Sequence, residues 1–156
     1  MERKIKQLAT AFRSAIENAK KEGRFTGDQC FRNYPRGCCG IASELLAKFM
    51  IENGINVMYV CGTHCGQTPE EIQSHAWLEV ADGIIIDITG DQFKYSEEYL
   101  NYDEPVYVGP NNSFYELFEV DFTERCDKYY TLDNTRIHSH LSRSELYEII
   151  CDYIGV

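Results

Sequence analysis

The chain has 156 residues, 44% of them hydrophobic and 13% aromatic, which suits one domain with a substantial core. At this length roughly 70% of the unfolded surface is buried on folding, which argues against disorder and fibrous repeats and removes any need for disulfide staples. Asp and Glu outnumber Lys and Arg by 25 to 15, a formal charge of −10, and that excludes nucleic-acid binding by simple phosphate neutralisation.

The first predicted element is a helix from about Glu2 to Lys21. Ile5, Leu8, Ala9, Phe12, Ala15, Ile16 and Ala19 recur at i, i+3, i+4, i+7 spacing and form a core-facing stripe. Residues 1–24 hold seven bases, Arg13 among them, and three acids, so the rest of the chain stands at −14. The bases read as a solvated helix face rather than a membrane-docking one. There is no signal-peptide h-region and no run of about 20 apolar residues, so the expectation is a soluble, cytoplasmic protein with no membrane partner.

A loop follows from Arg24 to Gly37, broken by Gly27, Asn33 and Pro35. A second helix begins after Gly37, with Ile41, Leu45, Leu46, Phe49 and Met50 on its inner side and Gly54 as its stop. Ile55 to Cys61 reads as a buried strand, and Gly62 to Ser74 as a polar loop. Strands are then predicted over Ser74–Val80, Ile84–Thr89, Glu104–Val108 and Ser113–Phe122. Ser142 or Ser144 caps a last helix with Leu146, Ile149, Ile150 and Ile154 inward. The expected fold is a single α+β domain over residues 1–156, an antiparallel sheet packed against helices.

The central hairpin allows its register to be argued. Closure through Ala81-Asp82-Gly83, with Gly83 left-handed, pairs Val80 with Ile84, Trp77 with Asp87 and His75 with Thr89. Ala76, Leu78, Val80, Ile84, Ile86 and Ile88 then share one apolar face, and His75, Trp77, Glu79, Ile85, Asp87 and Thr89 share the other. His75 and Asp87 become diagonal neighbours, within reach of each other. A carboxylate there would fix the imidazole tautomer and stabilise imidazolium.

Seven cysteines, an odd number without a secretion signal, read as reduced thiols. Cys38 and Cys39 fall where the second helix begins, and unpaired N–H groups at a helix start favour a thiolate. A thiol there, followed in the chain by His75 and then Asp87, supplies the parts of an activated sulfur nucleophile. Cys61, His64 and Cys65 offer zinc-type ligands but lack a second pair, with His138 and His140 far along the chain. Neither a metal nor another cofactor is expected.

Gly37-Cys38-Cys39 with Leu45-Leu46, then Ser74-His75-Ala76-Trp77-Leu78-Glu79-Val80, then Ile86-Asp87-Ile88-Thr89, resembles the transglutaminase-like division of the papain-like superfamily. The match covers residues 35–93, leaving 94–156 as additional strands and a terminal helix. The resemblance implies a papain-like core, Cys39 as nucleophile at a helix N-terminus, His75 as acid–base and Asp87 as its orienting carboxylate. Asn33, Gln29 and Gln92 are rival donors for the oxyanion, Gln92 equally a loop brace, and Trp77 belongs to the His-Ala-Trp strand as site support. Gly40 and Ile41 stand where transglutaminase-type sites often carry Arg or Asp, which favours water over an amine as acceptor.

The implied activity is acyl transfer or hydrolysis on a peptide, protein or small amide or ester. The alternative is a catalytically inactive protein-binding module with the same fold. The Tyr-rich segment from Tyr95 to Tyr130 would suit a protein partner, but reads first as packing at the sheet edge. The loops at 62–74 and 90–102 are expected to border the cleft.

Overall fold

The computed structural model describes residues 1–66, 68, 71–95, 102–135 and 140–155. Among these, three helices pack on a five-stranded antiparallel sheet, the expected α+β class. The helices are α1 (Glu2–Lys21), α2 (Cys39–Glu52) and α3 (Arg143–Cys151). The strands are β1 (Val57–Cys65), β2 (Ile72–Glu79), β3 (Ile85–Asp87), β4 (Tyr107–Gly109) and β5 (Glu119–Cys126), in spatial order β4-β3-β2-β1-β5. No helix among the described residues is long and apolar enough to cross a membrane.

The α1 stripe is buried as its periodicity requires, and Phe12 meets Phe49 of α2 with ring centroids 5.1 Å apart. Arg13 departs from the solvated face expected of it. It is 7% exposed, and its guanidinium grips Asp91 through two bonds of 2.8 and 2.7 Å while donating to Ile88 O at 2.8 Å. Paired and hydrogen-bonded in this way, a charge tolerates removal from water. At α3 the cap is Ser142: its hydroxyl accepts from Glu145 N at 3.1 Å, and the Glu145 carboxylate accepts from Ser142 N at 3.2 Å.

The central hairpin has the argued register, with Leu78 opposite Ile86 and Glu79 opposite Ile85. Val80 N donates to Ile84 O at 2.9 Å, and Gly83, at φ +80°, closes the turn. Leu78, Val80, Ile86 and Ile88 lie under the helices. Trp77 and Ile85 face the other way, into a second core with Val60, Phe93, Phe114, Tyr115 and Phe118. Each such buried side chain contributes about 1.5–3 kcal/mol, so the sheet is held from both faces.

Three expected boundaries move. Gly62 to Cys65, read as loop, extends β1 because these residues pair with β2, Gly62 opposite His75 and Cys65 opposite Ile72. The stretch 113–122 is not one strand. Asn112 Oδ1 accepts from Phe114 N and Tyr115 N, and this side-chain turn starts a short 3-10 helix at Tyr115–Leu117, so β5 begins only at Glu119. The strand expected at 104–108 is shorter and shifted to Tyr107–Gly109, where β4 pairs with β3.

Candidate active site

The start of α2 places two adjacent thiols in different surroundings. Cys38 is the N-cap residue and only 1% exposed, within the helix-side core. Cys39, about 100° further round the helix, is half-buried and interacts electrostatically with the His75 imidazole and the Ala76 backbone. One turn along, Ser43 Oγ donates to Ala76 O at 3.3 Å and fixes the helix start against β2.

His75 is fully buried. Its Nε2 lies 2.7 Å from Asp87 Oδ2. An ionised carboxylate only accepts, so Nε2 carries a proton and donates it. The Cys39 contact therefore falls to Nδ1, where the Gln92 side-chain amide also lies, 3.2 Å away. Aromatic rings enclose the imidazole: Phe93 edge-on at 5.1 Å, Trp77 at 5.7 Å and Phe118 at 5.8 Å between centroids.

Asp87 receives four donors. Oδ2 accepts from His75 and from Tyr115 Oη at 2.8 Å, and Oδ1 accepts from Thr89 N at 2.9 Å and Thr89 Oγ1 at 3.2 Å. Tyr115 Oη in turn accepts from Tyr102 Oη at 3.1 Å. Gly90 makes this packing possible, since a Cβ there would stand 2.8 Å from the Tyr102 ring and 3.2 Å from Asp87 Oδ2.

The electrostatics follow from this geometry. Burial alone would raise the Cys39 thiol, but its hydrogen bond to His75, the charge of His75 and the Ala76 backbone bond outweigh it, and the pKa falls below the usual 9.0. Burial works against a charged His75, yet the Asp87 charge and hydrogen bond, with the Cys39 contact, raise it from 6.5 to about 9. Asp87 is likewise opposed by burial and nonetheless lowered, by His75 first and then by Thr89 and Tyr115. Cys38, in contrast, is pushed well above 9.0, mainly by burial. Thiolate and imidazolium are thus favoured together, at Cys39 and not at its neighbour.

Cys39, His75, Asp87 and Gln92 come together, and Trp77 walls the site while its indole N–H donates to Glu79 Oε1 at 3.2 Å. Asn33 and Gln29 do not join them. The 24–37 loop coils around the Asp28 carboxylate and a 3-10 turn at Phe31–Asn33, which leaves both amide residues exposed in a cleft lined also by Cys30, Arg36 and His140.

Sequence reasoning missed Tyr115, Tyr102, Phe93, Phe114 and Phe118 as parts of the site. Tyr102, Tyr107 and Tyr115 pack into the second core, whereas Tyr95 and Tyr129 are exposed, so the Tyr-rich segment does not act as one unit at the sheet edge. Of the loops expected at the cleft, 62–65 and 72–74 are strand, and Gly90–Phe93 is the 3-10 turn that carries Gln92 and Phe93 to His75. Residues 67, 69, 70 and 96–101 of those loops lie outside the described residues, as does His138. Cys61 and Cys65 alternate with His64 along β1, which turns the histidine to the opposite face, so these three cannot share an ion.

No family model matches the chain, and no curated protein or solved structure matches it at a significant level.

Proposed function

We propose that the protein is a cysteine-dependent hydrolase or acyltransferase acting on amide or ester carbonyls, built on a core like that of the transglutaminase-like division of the papain-like superfamily. One observation carries the reading: a half-buried thiol whose pKa is lowered by a neighbouring histidine, which a fully buried carboxylate holds by its far nitrogen. A buried His–Asp pair whose two pKa values are shifted by a specific charge partner marks a candidate functional site.

In the proposed reaction the Cys39 thiolate attacks the carbonyl carbon and its electron pair forms the C–S bond. Negative charge moves to the carbonyl oxygen, where the backbone N–H of Cys39 is one donor. The first intrahelical bond of α2 runs from Ala42 N to Cys38 O, which leaves the Cys39, Gly40 and Ile41 N–H groups without helix partners. The Gln92 amide, beside Nδ1, is the second donor. The Nδ1 proton of His75 passes to the leaving amine or alcohol as the C–N or C–O bond breaks, giving a thioester. Neutral His75 then takes a proton from water, whose oxygen displaces the sulfur and releases the acid.

The test is intact-mass spectrometry after incubation with peptide amides and activated esters. An acyl adduct or product release that Cys39→Ala abolishes supports the reading. Wild-type turnover in Cys39→Ala would remove Cys39 as nucleophile.

A second reading, a non-catalytic protein-binding module, draws on β5. This edge strand is exposed from Glu119 to Arg125, with Val120 at 52% and Phe122 at 55% exposure, and an open edge of this kind pairs with extended segments of other chains. Absence of any thiol-dependent adduct together with tight binding at β5 would favour it.

A further inference from the structure

Outside the Cys39–His75 site, one cluster of three metal-ligating side chains exists among the described residues: Asp28, Cys30 and His140, whose ligand atoms all lie within 4.8 Å of one another. We propose that these three residues form a binding site for a borderline divalent cation, zinc, at the mouth of the cleft beside the α2 start.

The carboxylate is prepared for the task. Asp28 is fully buried; Oδ1 accepts from Cys30 N at 3.0 Å and Phe31 N at 2.7 Å, and Oδ2 accepts from Leu141 N at 2.9 Å. Oδ1 is saturated, and Oδ2 keeps one lone pair. His140 Nδ1 stands 3.7 Å from Oδ2, too long for a hydrogen bond. Two ligands each about 2.0–2.1 Å from a tetrahedral zinc are about 3.3–3.4 Å apart, so that spacing suits a shared ion better than a direct bond.

The ligand chemistry selects the metal. A thiolate and an imidazole with one carboxylate oxygen suit zinc, whereas magnesium and calcium take oxygen sets. The three backbone donors orient the carboxylate as outer-shell partners do in metal sites. Cys30 and His140 are partly exposed on the cleft, which provides entry and leaves a further coordination position to water. Zinc would bind Cys30 as the thiolate, its proton leaving to solvent. Lys20, on the same cleft, is drawn off by its bond to Tyr34 O at 2.8 Å.

The ion would tie the loop before α2 to the segment that enters α3, elements joined otherwise by Leu141 N on Asp28. Sequence inspection alone passes over the trio because Asp28 and Cys30 lie more than a hundred residues from His140.

The experiment is equilibrium zinc uptake by the full chain, followed by cobalt substitution read in the ultraviolet thiolate charge-transfer region. One equivalent is expected to bind, with one thiolate in the cobalt spectrum. Cys30→Ser and His140→Ala should each weaken uptake by more than the about 10–100-fold that losing an orienting partner costs. Both positions are partly exposed, and circular dichroism checks that each variant is folded. Cys39→Ala should bind as the wild type does. Failure of the wild type to bind, or unchanged uptake in the folded Cys30→Ser and His140→Ala variants, overturns the proposal. So does loss of binding in Cys39→Ala, which would move the ion to the thiol–imidazole pair. Because cobalt spectra require no turnover, the outcome is independent of the proposed acyl chemistry.

Discussion

Each protonation state at the site depends on a neighbour that can be removed singly. Asp87→Asn keeps the shape but replaces an acceptor with an amide that no longer stabilises imidazolium. Turnover is expected to fall about 10³–10⁴-fold in a variant that still folds, and steady-state kinetics beside circular dichroism check both. Tyr115→Phe removes one of the four donors to Asp87, so His75 should titrate at a different pH by NMR while the fold holds. The pH profile has a definite sign. Acyl transfer needs thiolate and imidazolium together, so it should rise as Cys39 ionises below 9.0 and fall as His75 loses its proton near 9. Alkylation of Cys39 needs only the thiolate and should stay fast above that point. If both reactions fell together at high pH, His75 would not be the acid. The same pair contributes to stability in a matching window. The His75 share is present below 6.5 and lost as pH rises through about 9; the Asp87 share is present above 3.8 and lost as pH falls through its lowered value.

At the scale of the elements, the 3-10 turn after β3 carries more than its length suggests. Arg13 of α1 pins Ile88 just before it and Asp91 within it, and Tyr34 Oη donates to Ile88 O at 2.5 Å. Arg13→Met should cost about 3 kcal/mol in urea unfolding, because Asp91 is left largely buried without its partner. Adding Asp91→Asn should restore part of that loss, whereas simple additivity would show that the two do not act as a pair. Gly90→Ala should reduce stability and activity together, since the new methyl meets Tyr102 and Asp87 at once. These contacts explain what could be read from the sequence. The hairpin register, and with it the His75–Asp87 pairing, followed from turn chemistry and a two-residue period, both local properties. The burial of Arg13, and Tyr115 reaching Asp87 from 28 residues away, depend on tertiary placement that no periodicity encodes. Asn33 was misplaced for a related reason: spacing through a loop says nothing about which way an exposed amide turns.

For the whole molecule, the two-sided sheet means that residues 35–93, which hold Cys39, His75, Asp87 and Gln92, cannot carry the site alone. Tyr115, Phe114 and Phe118 close the face on which His75 and Asp87 lie, so the last third of the chain belongs to the same cooperative unit. The neighbouring thiols at the start of α2 add an experimental opportunity. Cys39 is expected to react from the folded state, whereas Cys38, buried and favoured in its protonated form, should react only when the core opens. Trypsin would release both on one peptide, Gly37–Lys48, so a single fragment-ion spectrum compares them under identical exposure to reagent. Labelling of Cys39 would then time the native reactivity of the proposed nucleophile, and labelling of Cys38 would count excursions of the core into open states. The chain carries two clocks on adjacent residues, one for chemistry and one for unfolding, and a variant that loses activity can be sorted by which of them has changed.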